Sequence, residues 1–160
     1  MNRDDVLAVL NTPGSLKLMR SDVHARLAYN GPDGFPRVVP MGYRWNGKEI
    51  IVCSPSNAAK VGSLQRDPKV ALTIDTDAFP PEMLLIRGTA TIDIVDGVPD
   101  DFIEGSRRFV PAEGFAEWEA NVRGLYDRMA RIVITPTWAK LIDFQTTLPS
   151  AIEELIAAKQ

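Results

Sequence analysis

The sequence predicts a mainly β fold, a small β-barrel of about six antiparallel strands with appended helices. Three observations predict it: short runs of alternating apolar residues, turn signals at close spacing between them, and helical patterns that are added on rather than alternating with the strands. The length of 160 residues fits one domain, residues 1–160, with a core over about 15–145 and a C-terminal helix over about 150–159.

The elements follow in order. Asp4 and Asp5 open a short helix over Val6–Leu10, which Pro13-Gly14 is expected to end. His24–Tyr29 reads as the first strand, and Asn30–Gly34 is a dense turn signal. Pro36–Trp45 reads as one second strand, with Val39, Met41, Tyr43 and Trp45 on one face. Asn46-Gly47 is a strong hairpin signal, and Ile50–Cys53 returns as the third strand of a meander. Ala58, Val61 and Leu64 then mark a short amphipathic helix, capped by Ser56 or Asn57 and stopped by Asp67-Pro68.

Val70, Leu72 and Ile74 alternate as a fourth strand, and Met83–Val95 is a long fifth one. Gly88 in its middle suggests a bulge or a tight bend. Asp100–Phe109 is weakly helical, and Phe115, Trp118, Val122, Leu125 and Met129 form a helical stripe suited to a core or subunit interface. Ile132–Thr135 and Trp138–Phe144 are strand-like, with Pro136 expected to interrupt them. Ser150–Glu153 reads as a capping box for the last helix.

Composition narrows the function. The net charge of −3 and pI of about 5.2 lack the basic surface that nucleic-acid binding needs. No apolar run approaches the roughly 20 residues of a membrane-spanning helix, so a cytoplasmic protein with no membrane partner is expected. The single cysteine, Cys53, lies in an apolar run and reads as a buried structural thiol. One histidine (His24) and one cysteine do not make a zinc site. There is no glycine-rich phosphate loop and no GxSxG elbow. No catalytic residue and no metal ligand is assigned.

Ser54-Pro55-Ser56-Asn57-Ala58-Ala59-Lys60 leaves a strand and enters a helix. The first N–H groups of a helix have no internal partners and sit at the positive end of its dipole, so an anion is favoured there. Ser54, Ser56 and Asn57 add polar groups and Lys60 adds a charge, a set suited to one phosphate monoester. The alternative is an ordinary N-cap beside a solvated lysine.

The order of segments resembles the pyridoxamine 5′-phosphate oxidase-like family of split β-barrels. The resembling stretches are Ala25–Ala28 with Gly31–Pro36, Val38–Met41, Lys60–Leu72 and Arg87–Ala90, and the resemblance spans roughly residues 15–145. The resemblance implies the FMN-binding type of split barrel and a flavoprotein oxidoreductase. It implies a cofactor that is either flavin mononucleotide (FMN) or coenzyme F-420 (8-hydroxy-5-deazaflavin), bound at a homodimer interface, with hydride passing to or from a small-molecule substrate. The phosphate would lie by Ser54, Ser56, Asn57 and Lys60, and the ring along Val39, Pro40, Met41 and Gly42. Ala59 and Gly62 stand where many relatives carry basic residues, and Ser63 where they carry asparagine, which leaves Lys60 to hold the phosphate with little help. The alternative reading is a non-catalytic protein that binds a flavin, a deazaflavin or a tetrapyrrole. The chain ends in a helix rather than in the substrate-binding strand of true pyridoxamine-phosphate oxidases, so a vitamin B6 oxidase is the weaker enzyme reading.

Overall fold

The computed structural model describes residues 1–160. Its centre is one antiparallel sheet of seven strands: β1 (Ala25–Asn30), β2 (Pro36–Met41), β3 (Arg44–Trp45), β4 (Ile50–Pro55), β5 (Lys69–Asp75), β6 (Met83–Asp96) and β7 (Arg128–Ile142). The spatial order is β2-β1-β5-β6-β7-β4-β3. Strands β2 and β3 therefore form opposite edges, although only Gly42 and Tyr43 separate them in the chain. Six strand spacings would hold the edges of a flat sheet about 29 Å apart. The three Cα steps from Met41 to Arg44 span about 11 Å at most. The sheet must curl until its edges approach, and this makes the split barrel.

This arrangement corrects the expected meander. Pro36–Trp45 is not one strand, and the β1–β2 and β3–β4 hairpins stand at opposite edges. The alternation was real all the same, since Tyr43 is buried and Val39, Met41 and Trp45 pack against the same core. Edge strand β2 carries Pro36 and Pro40, which cannot donate to a ladder. At the β3–β4 turn, the Asn46 side-chain oxygen accepts from the N–H groups of Lys48 (2.9 Å) and Glu49 (2.7 Å), and Gly47 takes φ 94°.

Strand β7 crosses Pro136 without a break. Gly88 of β6 faces Pro136 while Arg87 faces Trp138, so Thr137 is the extra residue of a bulge. The bulge tolerates the proline, and Gly88 permits the close approach. A Cβ there would lie 2.7 Å from the Thr135 carbonyl oxygen. The bulge anticipated at Gly88 is present, and the expected interruption of the ladder is absorbed by it.

Helices close the barrel. Helix α1 (Arg3–Leu10) opens on a capping box between Asn2 and Asp5. It ends at Leu10, ahead of Pro13-Gly14 as expected, but a second helix that the sequence did not suggest follows at once: Thr12 caps α2 (Pro13–Arg20), and Pro13 sits at its first position, where a missing N–H costs nothing. Helix α3 (Ala59–Arg66) turns Val61 and Leu64 into the barrel core beside Leu27, Ile74, Ile86 and Ile132. A second, smaller core lies outside β4, where α4 (Asp100–Ser106) and α5 (Phe115–Leu125) cover Ile51, Cys53 and Met129. Covered on both faces, β4 is buried along Ile50–Ser54.

The helical stripe is shorter than the sequence suggested. Phe115, Trp118 and Val122 pack into the second core, Leu125 is 69% exposed, and Met129 belongs to β7. Helix α6 (Ser150–Ala157) lacks the expected capping box. Pro149 is its N-cap, and the Ser150 hydroxyl instead accepts from the Lys140 ammonium at 3.0 Å. No helix is long and apolar enough to cross a membrane.

Candidate functional site

Two features flank the buried strand β4. The first is a cavity of about 390 Å³ between the β2–β3 link and α4. Pro40, Met41 and Gly42 form one wall, Ile51 and Cys53 the floor, and Asp101, Phe102, Gly105, Ser106 and Phe109 the other wall. The Phe109 ring lies against Gly42, 3.5 Å from where a Cβ would stand. It stacks on His24, which also lines the cavity, with ring centroids 4.1 Å apart and planes 23° apart. Gly105 lets α4 approach the barrel, since a Cβ there would meet the Tyr43 backbone at 3.1 Å.

The charges around this cavity are paired. Asp101 Oδ1 accepts from Arg44 at 2.7 Å and Oδ2 from Arg131 at 2.6 Å. That hydrogen bond raises the Arg131 pKa and holds its guanidinium firmly charged. Arg108 donates to the carbonyls of Met19 and Tyr43, the latter at 2.6 Å, and lies over the Tyr43 ring. It thereby ties α2 to the β2–β3 link. Burial pushes the Cys53 thiol up to about 12, with the Asp101 carboxylate adding to the effect and Arg131 opposing it. The thiol is protonated and inert at neutral pH, in keeping with a structural cysteine.

The second feature is the start of α3. Ser54 is 2% exposed, and its hydroxyl accepts from the half-buried Lys60 ammonium at 3.2 Å. Lys60 has no carboxylate partner within ion-pair distance, and burial lowers its pKa. Ser56 and Asn57 do not cap the helix. Ala58 is the N-cap, and no side chain bonds to the first turn. Ser56 and Asn57 instead line an open cleft with Arg66 and Arg128. The register that sets Pro55 opposite Met129 is what delivers Arg128 to this place. Its ion pair with Asp96 is exposed and spans 3.4 Å.

The expected site residues thus fall into groups. Pro40, Met41 and Gly42 line the cavity, Ser54 and Lys60 are bonded to each other, and Ser56 and Asn57 line the neighbouring cleft. Val39 lies on the core side of its strand, packed against the barrel interior. The sequence reading missed Asp101, Phe109 and Arg128. All three lie far in sequence from the segments around Ser54–Lys60 and Val39–Gly42, and only the strand register and the return of α4 bring them in.

A phosphate-bearing group fits the start of α3 on two observations: a half-buried ammonium without a counter-charge, and a helix terminus without a side-chain cap.

Comparisons with known proteins agree with this architecture. No curated protein matches the chain. Among solved structures, an F420 reductase is 24% identical with a TM-score of 0.60, covering 78% of this chain and 94% of its own. The heme storage protein HutZ of Vibrio cholerae is 18% identical with a TM-score of 0.58, covering 82% and 92%. A protein of Clostridium acetobutylicum related to general stress protein 26, of the pyridoxinephosphate oxidase family, is 15% identical with a TM-score of 0.56, covering 89% and 91%. These likenesses establish the split-barrel fold. The sequence family described as pyridoxamine 5′-phosphate oxidase matches residues 17–109. That stretch runs from α2 through every strand but β7 to Phe109 and covers more than half of the chain, so this chain belongs to the pyridoxamine 5′-phosphate oxidase family.

Proposed function

We propose that this chain is an oxidoreductase that works as a homodimer and holds FMN or the deazaflavin coenzyme F-420. The observation that carries the reading is the Lys60 ammonium, half-buried against Ser54 with no carboxylate to neutralise it, at the uncapped start of α3. Lys60 and the first N–H groups of α3 bind the cofactor phosphate, with Ser54, Ser56 and Asn57 beside them. Arg128 supplements the charge that Ala59 and Gly62 do not provide. The ring lies along Val39–Gly42, where an edge strand leaves backbone groups free to meet it.

Such a group supplies two-electron hydride chemistry when bound. The chain binds it, orients it and keeps water from one face. The homodimer is supported by the outer face of β1, β2, β5 and β6. Ala28, Val38, Ala71 and Leu85 lie together there, with Val38 64% exposed and Arg87 stacked over Trp138.

Titration of the purified protein with FMN and with F-420, followed by fluorescence, tests the reading. Saturable binding of one of them is expected, and binding of neither sinks it. Oxidation of the bound, reduced cofactor by a small-molecule acceptor separates the enzyme from a carrier.

A further inference from the structure

We propose that the cavity between the β2–β3 link and α4 is the substrate compartment, that it takes an uncharged planar aromatic or quinonoid molecule, and that Phe109, backed by His24, selects that molecule. The assignment rests on the cofactor reading, which lays the ring along the same Pro40–Gly42 wall.

Charge is the first argument. The cavity wall carries one carboxylate, Asp101, and both of its oxygens are taken by Arg44 and Arg131. Neither of those arginines lines the cavity, nor does any other arginine or lysine. The adjacent Arg108 is committed to the Met19 and Tyr43 carbonyls. A phosphate ester entering here gives up its hydration and meets no free cation in return, a cost an uncharged molecule avoids.

Shape is the second argument. Phe109 lies beside Gly42 and stacks on His24, and both rings line the cavity, so together they form one aromatic wall. Met41, Ile51 and Phe102 supply the other apolar surface, and the methionine adapts to the outline of the guest. The cavity volume of about 390 Å³ lies at the small end of the ~300–1,000 Å³ usual for small ligands. Polarity is sparse. The Ser106 hydroxyl already donates to the Phe102 carbonyl at 2.7 Å, which leaves the His24 imidazole and the weak Cys53 thiol donor, enough for a carbonyl of the guest.

Calorimetric titration of the 160-residue chain in phosphate buffer, chosen to compete at the proposed anion site, tests this with three probes: menadione, pyridoxine and pyridoxine 5′-phosphate. Menadione is expected to bind at least about tenfold more tightly than pyridoxine 5′-phosphate, and adding the phosphate to pyridoxine is expected to weaken binding. Phe109→Ala is expected to cost menadione about tenfold, while Phe109→Tyr keeps affinity within about threefold. His24→Ala, which removes the stacking partner of Phe109 and one lining side chain while leaving the Phe109 ring itself, is expected to give a smaller loss of about threefold. Tighter binding of pyridoxine 5′-phosphate than of pyridoxine overturns the proposal, as does menadione binding that is absent or indifferent to Phe109. Menadione binding that depends on Phe109, in a protein that binds neither FMN nor F-420, removes the oxidoreductase reading and leaves the compartment standing.

Discussion

The two sides of β4 treat charge in opposite ways. Toward α4, Asp101 holds two arginines at 2.7 and 2.6 Å, a third arginine is tied to carbonyls, and the cavity is left without a free cation. Toward α3, a half-buried lysine meets only a serine hydroxyl. Burial of an ammonium without a counter-charge is unfavourable, and a fold keeps such a group where something else completes it. The difference teaches where to look for each kind of ligand: an anion at the lone lysine, and a neutral molecule where the charges are already balanced.

The largest expected effect that tests this contrast is on the lysine. Lys60→Ala is expected to weaken binding of the phosphate-bearing cofactor by roughly ten- to a hundredfold, the value of one charged hydrogen bond of about 1.5–3 kcal/mol. A fluorescence titration reads it, and unchanged affinity removes the anion site from α3.

The next effect is on the other side. Asp101→Asn leaves Arg44 and Arg131 without their shared counter-charge, and Arg44 is partly solvated. A stability loss of about 1–2 kcal/mol is expected from denaturant unfolding. The same variant is expected to narrow the preference for pyridoxine over its phosphate, because the cavity wall gains net positive charge. If that preference stays as it was, Asp101 does not set the balance.

The smallest effect is a pH dependence. Burial lowers the Lys60 pKa below the ordinary lysine value of 10.5, so the ammonium is fully present below that lowered pKa. Cofactor affinity is expected to fall severalfold as pH rises through the lowered value, while Lys60→Arg holds its affinity across the same range. The ligand-free protein moves the other way. Between the lowered pKa and 10.5 the unfolded chain binds more protons than the folded one, so stability rises with pH. Parallel binding and unfolding curves check both signs, and affinity that is flat with pH places the phosphate elsewhere.

Much of the barrel was legible because side-chain periodicity reports which face of a strand is buried. Leu84, Ile86 and Ala90 of β6 and the Asn46-Gly47 turn were readable on that basis. Periodicity does not report which strand is the partner. Val39, Met41, Tyr43 and Trp45 stay in phase across the β2–β3 break, so nothing in their spacing reveals that the chain has crossed from one sheet edge to the other. Pro136 was misleading for a similar reason: its tolerance depends on Gly88, 48 residues earlier in sequence, which faces it across the ladder. The lysine half of the site could be read locally because strand exit, helix start and Lys60 are contiguous. The neutral half could not, since Asp101 of helix α4 gains its meaning from Arg44 on β3 and Arg131 on β7.

The Gly42–Tyr43 link carries a mechanical consequence. The chain joins edges β2 and β3 covalently, but no backbone ladder joins them, so the barrel has one unstitched seam, and the cavity opens beside it. A molecule seated there touches the β2 wall, the β4 floor and α4 together, and so acts as a missing stave. Ligand occupancy and barrel integrity become linked quantities, and the melting temperature reports on what fills the seam.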